Sequence, residues 1–262
     1  VRAYGEFTEV NGGSADDNGG DPKPSVKIFP NEAFGFLRIT VERPLRLRCL
    51  CLMINAPDEL AIVEQDAGEL GPGQVLVQVG FGGICGSDLH YFHQGGFGTV
   101  RIKRPMILGH EVAGTVTAVA PGVERVQVGD RVAVNPSRPC SRCVYCLEGL
   151  PNQCLDMRFY GSAMRDPHVE GAFRNLLVCD AVQCEKVAPG VPLELAALAE
   201  PFSVTLHGVN RAGPLLGKRV LVSGCGPIGT LAIAAARVHG AAEIVAVAVT
   251  DQTLAIARAM GA

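Results

Sequence analysis

The chain has no tryptophan, and its aromatic residues make up only 5% of 262 positions. It also lacks an excess of either charge: 23 Lys and Arg stand against 26 Asp and Glu, a formal net charge of -3. That balance gives no whole-chain attraction to nucleic acid or to an anionic membrane, and neither is expected as a partner. No clean apolar run is long enough to span a bilayer. The stretch from Val220 to Val249 is interrupted by Gly224, Gly226, Gly229, Arg237 and Glu243. There is no leading basic and apolar signal segment and no internal repeat. With ten cysteines in the chain, these absences predict a reduced, cytoplasmic setting rather than a secreted disulfide framework.

Apolar material, in contrast, is ample. Hydrophobic residues are 48% of the chain and charged residues 19%, enough for one large core or two smaller ones. The 32 glycines suit a fold of tight turns and close backbone approaches. Three segments are expected: an extension over 1–48, a β-rich domain over 49–197, and a βαβ-type segment over 198–262. The extension opens with a Gly/Asp-rich polar loop (Asn11 to Asp21), then a short strand within Phe29 to Leu45. The second segment carries β-branched runs at Val75–Val79, Glu111–Ala120 and Asp130–Val134, separated by Pro121-Gly122 and Gly129-Asp130 turns, which predicts a small β-barrel-like domain. After Pro201 the pattern becomes helix, strand, Gly-rich turn, helix and strand, and a second helix begins at Thr253.

Two constellations carry metal chemistry. Cys140, Cys143, Cys146 and Cys154 form C-x2-C-x2-C-x7-C. Four thiolates can wrap one tetrahedral Zn(II) and leave no position for water, which describes a structural site. C-x2-C-x2-C also opens some iron–sulfur sites. The distant fourth cysteine and the lack of a second cluster motif favour zinc. The other constellation is Gly83-Ile-Cys85-Gly-Ser87-Asp88-Leu-His90 together with Gly109-His110-Glu111-Val-Ala-Gly114. A soft thiolate and an imidazole again suit Zn(II).

A nucleotide-binding turn follows. Lys218-Arg-Val-Leu-Val-Ser-Gly224-Cys-Gly226-Pro227-Ile228-Gly229 is G-x-G-x-x-G between an apolar strand and an Ala-rich helix. Gly224 suits a tight turn, Gly226 the approach of a pyrophosphate, and Gly229 the packing of helix on strand. Gly224, Gly226, Pro227, Ile228 and Gly229 are therefore the expected cofactor-binding residues, with phosphates favoured at the helix N-terminus.

In this order, G-x-C-G-S-D-x-H, G-H-E-x-x-G, the four-cysteine lobe and the glycine fingerprint resemble the zinc-containing medium-chain alcohol and polyol dehydrogenase family, from about Cys51 onward. The resemblance implies a GroES-like β-barrel catalytic domain followed by a Rossmann-type doubly wound sheet, the latter cut short within this chain. It implies zinc ligands at Cys85, His110 and Glu111, with an open position for a substrate oxygen. Ser87 and His90 match the family's proton relay, and Asp88 a partner for a ligand histidine. Glu200 stands where simple alcohol dehydrogenases have a second cysteine, which points to the polyol branch. Its role is open between zinc ligand and holder of a water or substrate hydroxyl. Ala248 occupies the position of the acid that holds the ribose of NAD, and Asp251, three residues on, is a substitute through a shifted turn. No arginine follows directly to take a 2′-phosphate, and NAD is expected first and NADP second.

Gly161–Phe173 and Gln183–Val187 resemble the polyol and sugar-acid members, which implies a substrate of the L-idonate/5-ketogluconate type. Arg165, His168 and Arg174 are candidate cations for an acidic substrate. The full-length form is expected to be a homo-oligomer and this chain by itself to be inactive. Residues 29–45 resemble a piece of the modification subunit of type I restriction systems, without any of its methyl-transfer motifs. The competing expectations are a non-catalytic zinc-binding fragment and a chimeric product with a DNA-modification remnant at its start.

Overall fold

The computed structural model describes residues 48–262 in full and, before them, the strand backbones Glu9–Asn11, Ser25–Pro30 and Gly35–Thr40. The strand expected within 29–45 is Gly35–Thr40. Most of the polar loop expected from Asn11 to Asp21 lies outside the described residues. The chain divides between Ala197 and Leu198 into two compact units.

In the first unit the organising strand is Gln74–Gly83. It pairs antiparallel with Glu111–Val119 along one edge, through register shifts at Ala113/Gly114 and Val116/Ala118. Its other edge takes Leu176–Asp180 at the start and Gly35–Thr40 at the end. The sheet continues from Glu111–Val119 to Arg131–Val134 and then Cys184–Lys186. A hairpin of Arg48–Ala56 and Glu59–Asp66, joined by Met106–Ile107, forms a second sheet. The alternation of Val75, Val77 and Val79 puts all three on the buried face, against Ile54, Met106, Val112 and Val132.

The unit belongs to the expected β class, but among the described residues its ladders stay open rather than closing into a ring. The two sheets are stitched by single backbone bonds instead. Leu52 N–H donates to Phe173 O at 2.9 Å, Asn175 N–H to Leu50 O at 3.1 Å, and Cys51 bridges Arg174.

The second unit is the βαβ arrangement its sequence calls for. Strands Arg219–Ser223 and Glu243–Val247 run parallel in register, connected by helix Pro227–Val238. Helix Ala199–Ala212 precedes them and helix Asp251–Met260 follows. Ile233, Ala235, Ala236 and Ala257 are buried at the centre. Small side chains on the helix let it lie close to the strands.

No helix among the described residues is long and apolar enough to cross a membrane.

Candidate functional site

Cys85 sits where strand Gln74–Gly83 gives way to helix Gly86–Gln94, as the helix N-cap residue. His110 and Glu111 sit at the entry to the neighbouring strand Glu111–Val119. Because the two strands are paired with Glu111 opposite Gly83, residues remote in sequence are brought to one end of one sheet. The thiol of Cys85, a ring nitrogen of His110 and a carboxylate oxygen of Glu111 all lie within 4.8 Å of one another. His110 and Glu111 are 5% and 6% exposed. A Cβ on Gly83 would stand 2.1 Å from Glu111 Oε2, so only glycine leaves the carboxylate its place.

Asp88 ties the cluster together. Its carboxylate accepts the Cys85 backbone N–H at 3.0 Å and the Gly109 N–H at 3.2 Å, and lies 3.8 Å from His110 Nδ1. One buried side chain thus fixes both ligand-bearing segments. Burial pushes the Asp88 pKa up, against the pull of His110 and the two N–H groups. Burial also opposes charging of His110, but the carboxylate of Asp88, the thiol of Cys85 and Glu111 outweigh it and raise the imidazole to about 10. The pocket therefore concentrates negative potential. His110 Nδ1 is the buried side-chain polar atom that lacks a hydrogen bond among the described residues. A thiol, an imidazole and a carboxylate in such a potential form a donor set suited to Zn(II).

A cavity of about 230 Å³ opens beside this cluster, with His110, Ser87 and Ser162 among its polar lining and Phe159 and Phe97 among its apolar lining. The Phe159 ring stands 5.3 Å from the His110 ring. His90, one helical turn after Ser87, is exposed, with its ring 6.3 Å from that of Phe97. No hydrogen bond joins Ser87 to His90 among the described residues. Arg165, a candidate from the sequence, lines this cavity, whereas the place of Met157 and Phe159 in its wall has no sequence signal. The only regular element over 157–165 is the two-residue strand Arg158–Phe159, too short for a periodic signal.

The four-cysteine lobe is a second, separate cluster. The thiols of Cys140, Cys143, Cys146 and Cys154 all lie within 4.8 Å of one another. Cys143 Sγ is 3.5 Å from Cys146 Sγ and 4.0 Å from Cys154 Sγ. A tetrahedral ion with Zn–S bonds of about 2.3 Å sets its sulfurs about 3.8 Å apart, so the lobe fits one ion. A multi-iron cluster would hold its thiolates farther apart, around its own body. Backbone N–H groups of Leu155 and Cys146 lower the Cys143 pKa to about 6, and those of Arg142 and Cys143 lower that of Cys140. Burial and contact with Cys143 push Cys146 up to about 12.

In the second unit the glycine turn has the shape its spacing predicts. Gly224 adopts φ +89°, Gly226 caps helix Pro227–Val238, and a Cβ on Gly229 would lie 1.8 Å from Gly224 O. Pro227 and Ile228 open the helix, Pro227 at a position that needs no backbone N–H partner. The following strand ends at Val247. Asp251 is the first residue of the next helix, capped by Thr250, whose hydroxyl accepts the Thr253 N–H at 3.3 Å. Glu200 lies in the first turn of helix Ala199–Ala212.

Residues 71–189 match the alcohol dehydrogenase GroES-like domain. Over 218 residues the chain is 45% identical to L-idonate 5-dehydrogenase (NAD(P)(+)) of Escherichia coli strain K12, covering 83% of this chain and 63% of that protein. Over the part it shares with them, the chain is similar to the zinc-containing medium-chain polyol dehydrogenases. It is also 37% identical to sorbitol dehydrogenase of Bos taurus, over 81% of this chain and 59% of the relative. The crystal structure of L-idonate 5-dehydrogenase from Escherichia coli superposes with a TM-score of 0.79 at 42% identity, covering 83% of this chain and 62% of that one. The chain thus spans about three-fifths of the length of these relatives.

Proposed function

We propose that this chain carries the metal-binding catalytic part (49–197) and the first portion of the cofactor-binding part (198–262) of a zinc-dependent dehydrogenase. Its reaction moves a hydride between a secondary alcohol of a polyol or sugar acid and NAD or NADP. The observation that carries this reading is the convergence of Cys85, His110 and Glu111 within 4.8 Å beside a cavity of about 230 Å³. Names of relatives agree: L-idonate 5-dehydrogenase, L-arabinitol 4-dehydrogenase and sorbitol dehydrogenase.

Zinc held by Cys85, His110 and Glu111 would supply Lewis acidity toward the substrate hydroxyl. The chain's own residues do the rest. Asp88 orients His110 and locks the loop after Gly109 to the helix that Cys85 caps. Ser87, on the cavity wall, would accept the hydroxyl proton while passing its own toward exposed His90, which exchanges it with water. Phe159 and Phe97 reduce water in the cavity, where electrostatic interactions gain strength. In the second unit, the N–H groups at the start of helix Pro227–Val238 favour a pyrophosphate. Glu200 serves as a ligand or a holder of a substrate hydroxyl. The four cysteines of the lobe hold a second, structural zinc. NAD is the first choice of cofactor and NADP the second, although Ala248 offers no carboxylate to a ribose; Asp251, at the start of the next helix, is the nearest acid that could substitute. A reducing cytoplasm suits thiols that must remain ligands, and a homo-oligomer is expected of the full-length form.

The test uses the full-length gene product that contains this chain, loaded with zinc and given polyols and aldonates with NAD or NADP. Alcohol-dependent reduction of the cofactor is expected, and its loss in Cys85→Ser with one zinc fewer per chain. Undiminished activity and zinc content in Cys85→Ser would falsify the assignment.

A further inference from the structure

The cavity beside the metal-competent cluster has one cationic side chain besides His110 in its wall, and its posture is unusual. Arg165 donates from Nε to Met157 O at 3.1 Å and from Nη2 to Leu155 O at 2.7 Å. Both acceptors are neutral carbonyls, so these two bonds orient the inner edge of the guanidinium without themselves cancelling its charge. Asp156 approaches the same inner edge, with Oδ1 3.7 Å from Nε. Of the five N–H donors of a guanidinium two are used in this way and three are left, both on Nη1 and one on Nη2. Two of those three, one on each Nη, form the outer fork, the edge that pairs bidentately with a carboxylate. No residue lining the cavity carries a carboxylate that could occupy it.

The other two candidate cations are placed differently. His168 is buried, with Nε2 accepting the Lys103 N–H at 2.8 Å and Nδ1 3.2 Å from Arg165 O, so its ring supports the turn that carries Arg165. Arg174 donates from Nε to Gly171 O at 3.0 Å and does not line the cavity.

We propose that the outer fork of Arg165 binds the carboxylate of an acidic polyol, an aldonate, and so sets the preference of this site for sugar acids over neutral polyols. Ser87 and Ser162 line the same cavity and offer hydroxyls to the substrate's own, while His110 marks its reactive end. Two anchors of opposite kind, a metal-held hydroxyl end and a guanidinium-held acid end, fix which carbon reacts. The inference rests on the dehydrogenase reading above.

The experiment compares L-idonate with its neutral counterpart L-iditol in the full-length zinc enzyme. Arg165→Gln is expected to lower kcat/KM for L-idonate relative to L-iditol by about 10- to 100-fold, since a charge-assisted hydrogen bond is lost for one substrate alone. Arg165→Lys should recover part of that ratio. Two further measurements need no variant. Added salt should raise the KM of the wild type for L-idonate more than for L-iditol, and calorimetry on the zinc-loaded 262-residue chain should detect L-idonate in preference to L-iditol. An unchanged ratio in a folded Arg165→Gln, or equal salt sensitivity of the two substrates, overturns the assignment of Arg165 and leaves the dehydrogenase intact. Failure of the wild type to oxidise either alcohol overturns both.

Discussion

The two metal-competent clusters are built by opposite means. The four-cysteine lobe comes from a single short stretch, Cys140 to Cys154. Its regular structure is one four-residue helix, Val144–Leu147, and one 3-10 turn, Pro151–Gln153. Its apolar residues Val144, Leu147, Leu150 and Leu155 are exposed, so there is little core to hold it. The cluster of Cys85, His110 and Glu111 is the reverse: it hangs from two long paired strands whose inward faces are part of the main core. On the proposed reading the lobe, with little core of its own, is expected to depend on an ion for order, whereas the buried cluster is held by packing and an ion would only complete it.

The largest expected effect is therefore at the lobe. Structural zinc in small peptides contributes about 10–16 kcal/mol of apparent binding free energy that is also folding free energy. Cys146→Ser is expected to remove one zinc per chain and to open residues 140–155 to limited proteolysis, with the rest of the first unit staying protected. Next comes Cys85→Ser. It should also remove one zinc and abolish alcohol oxidation, yet move the thermal midpoint far less than Cys146→Ser does. A Cys85→Ser chain that unfolds while Cys146→Ser stays folded would invert the comparison.

Smaller effects sharpen it. Asp88→Asn keeps the shape but weakens the hold on His110, and zinc affinity at the buried cluster should fall about 10- to 100-fold. Competition with a metal-sensitive dye reads that loss, which the lobe should not share. The smallest effect expected is that of Tyr91→Phe. Tyr91 is buried in the main core and its hydroxyl accepts the Ala163 N–H at 2.9 Å. Removing the oxygen should cost about 1 kcal/mol of stability, seen in chemical denaturation, with both zinc ions retained. Loss of metal from Tyr91→Phe would mean that the packing around the cavity and the ligand geometry are less separable than the buried scaffold implies.

The elements legible in the sequence were those with a strong local signal. The run Val75–Val79 marks a strand that extends to Gln74–Gly83. Its last residues, Phe81-Gly82-Gly83, carry no alternation and gain their place by pairing with Ala113, Val112 and Glu111 on one edge and, at Gly82 and Gly83, with Leu37 and Phe36 on the other. The glycine turn was legible because each glycine answers a short-range demand, most plainly Gly229 against Gly224 O. Helix Asp251–Met260 begins two residues earlier than its apolar pattern suggests, because the Thr250 hydroxyl caps it there. The aromatic part of the cavity wall was not legible, unlike Ser87, His110 and Arg165. Phe159 reaches His110 from a two-residue strand, and nothing in Arg158-Phe159-Tyr160 distinguishes a wall from a core position.

Sequence alone determined what lies within a few residues along the chain: the four-thiol spacing and the turn glycines. Those relations are fixed by bond geometry and by short loops that cost little entropy to close. Tertiary structure decided the rest. It brought Glu111 opposite Gly83, set Asp88 beside His110 and turned Arg165 rather than His168 or Arg174 toward the cavity. Contacts of that range form only when two sheets bury a shared face, because burial of apolar surface is what offsets the entropy of joining distant segments.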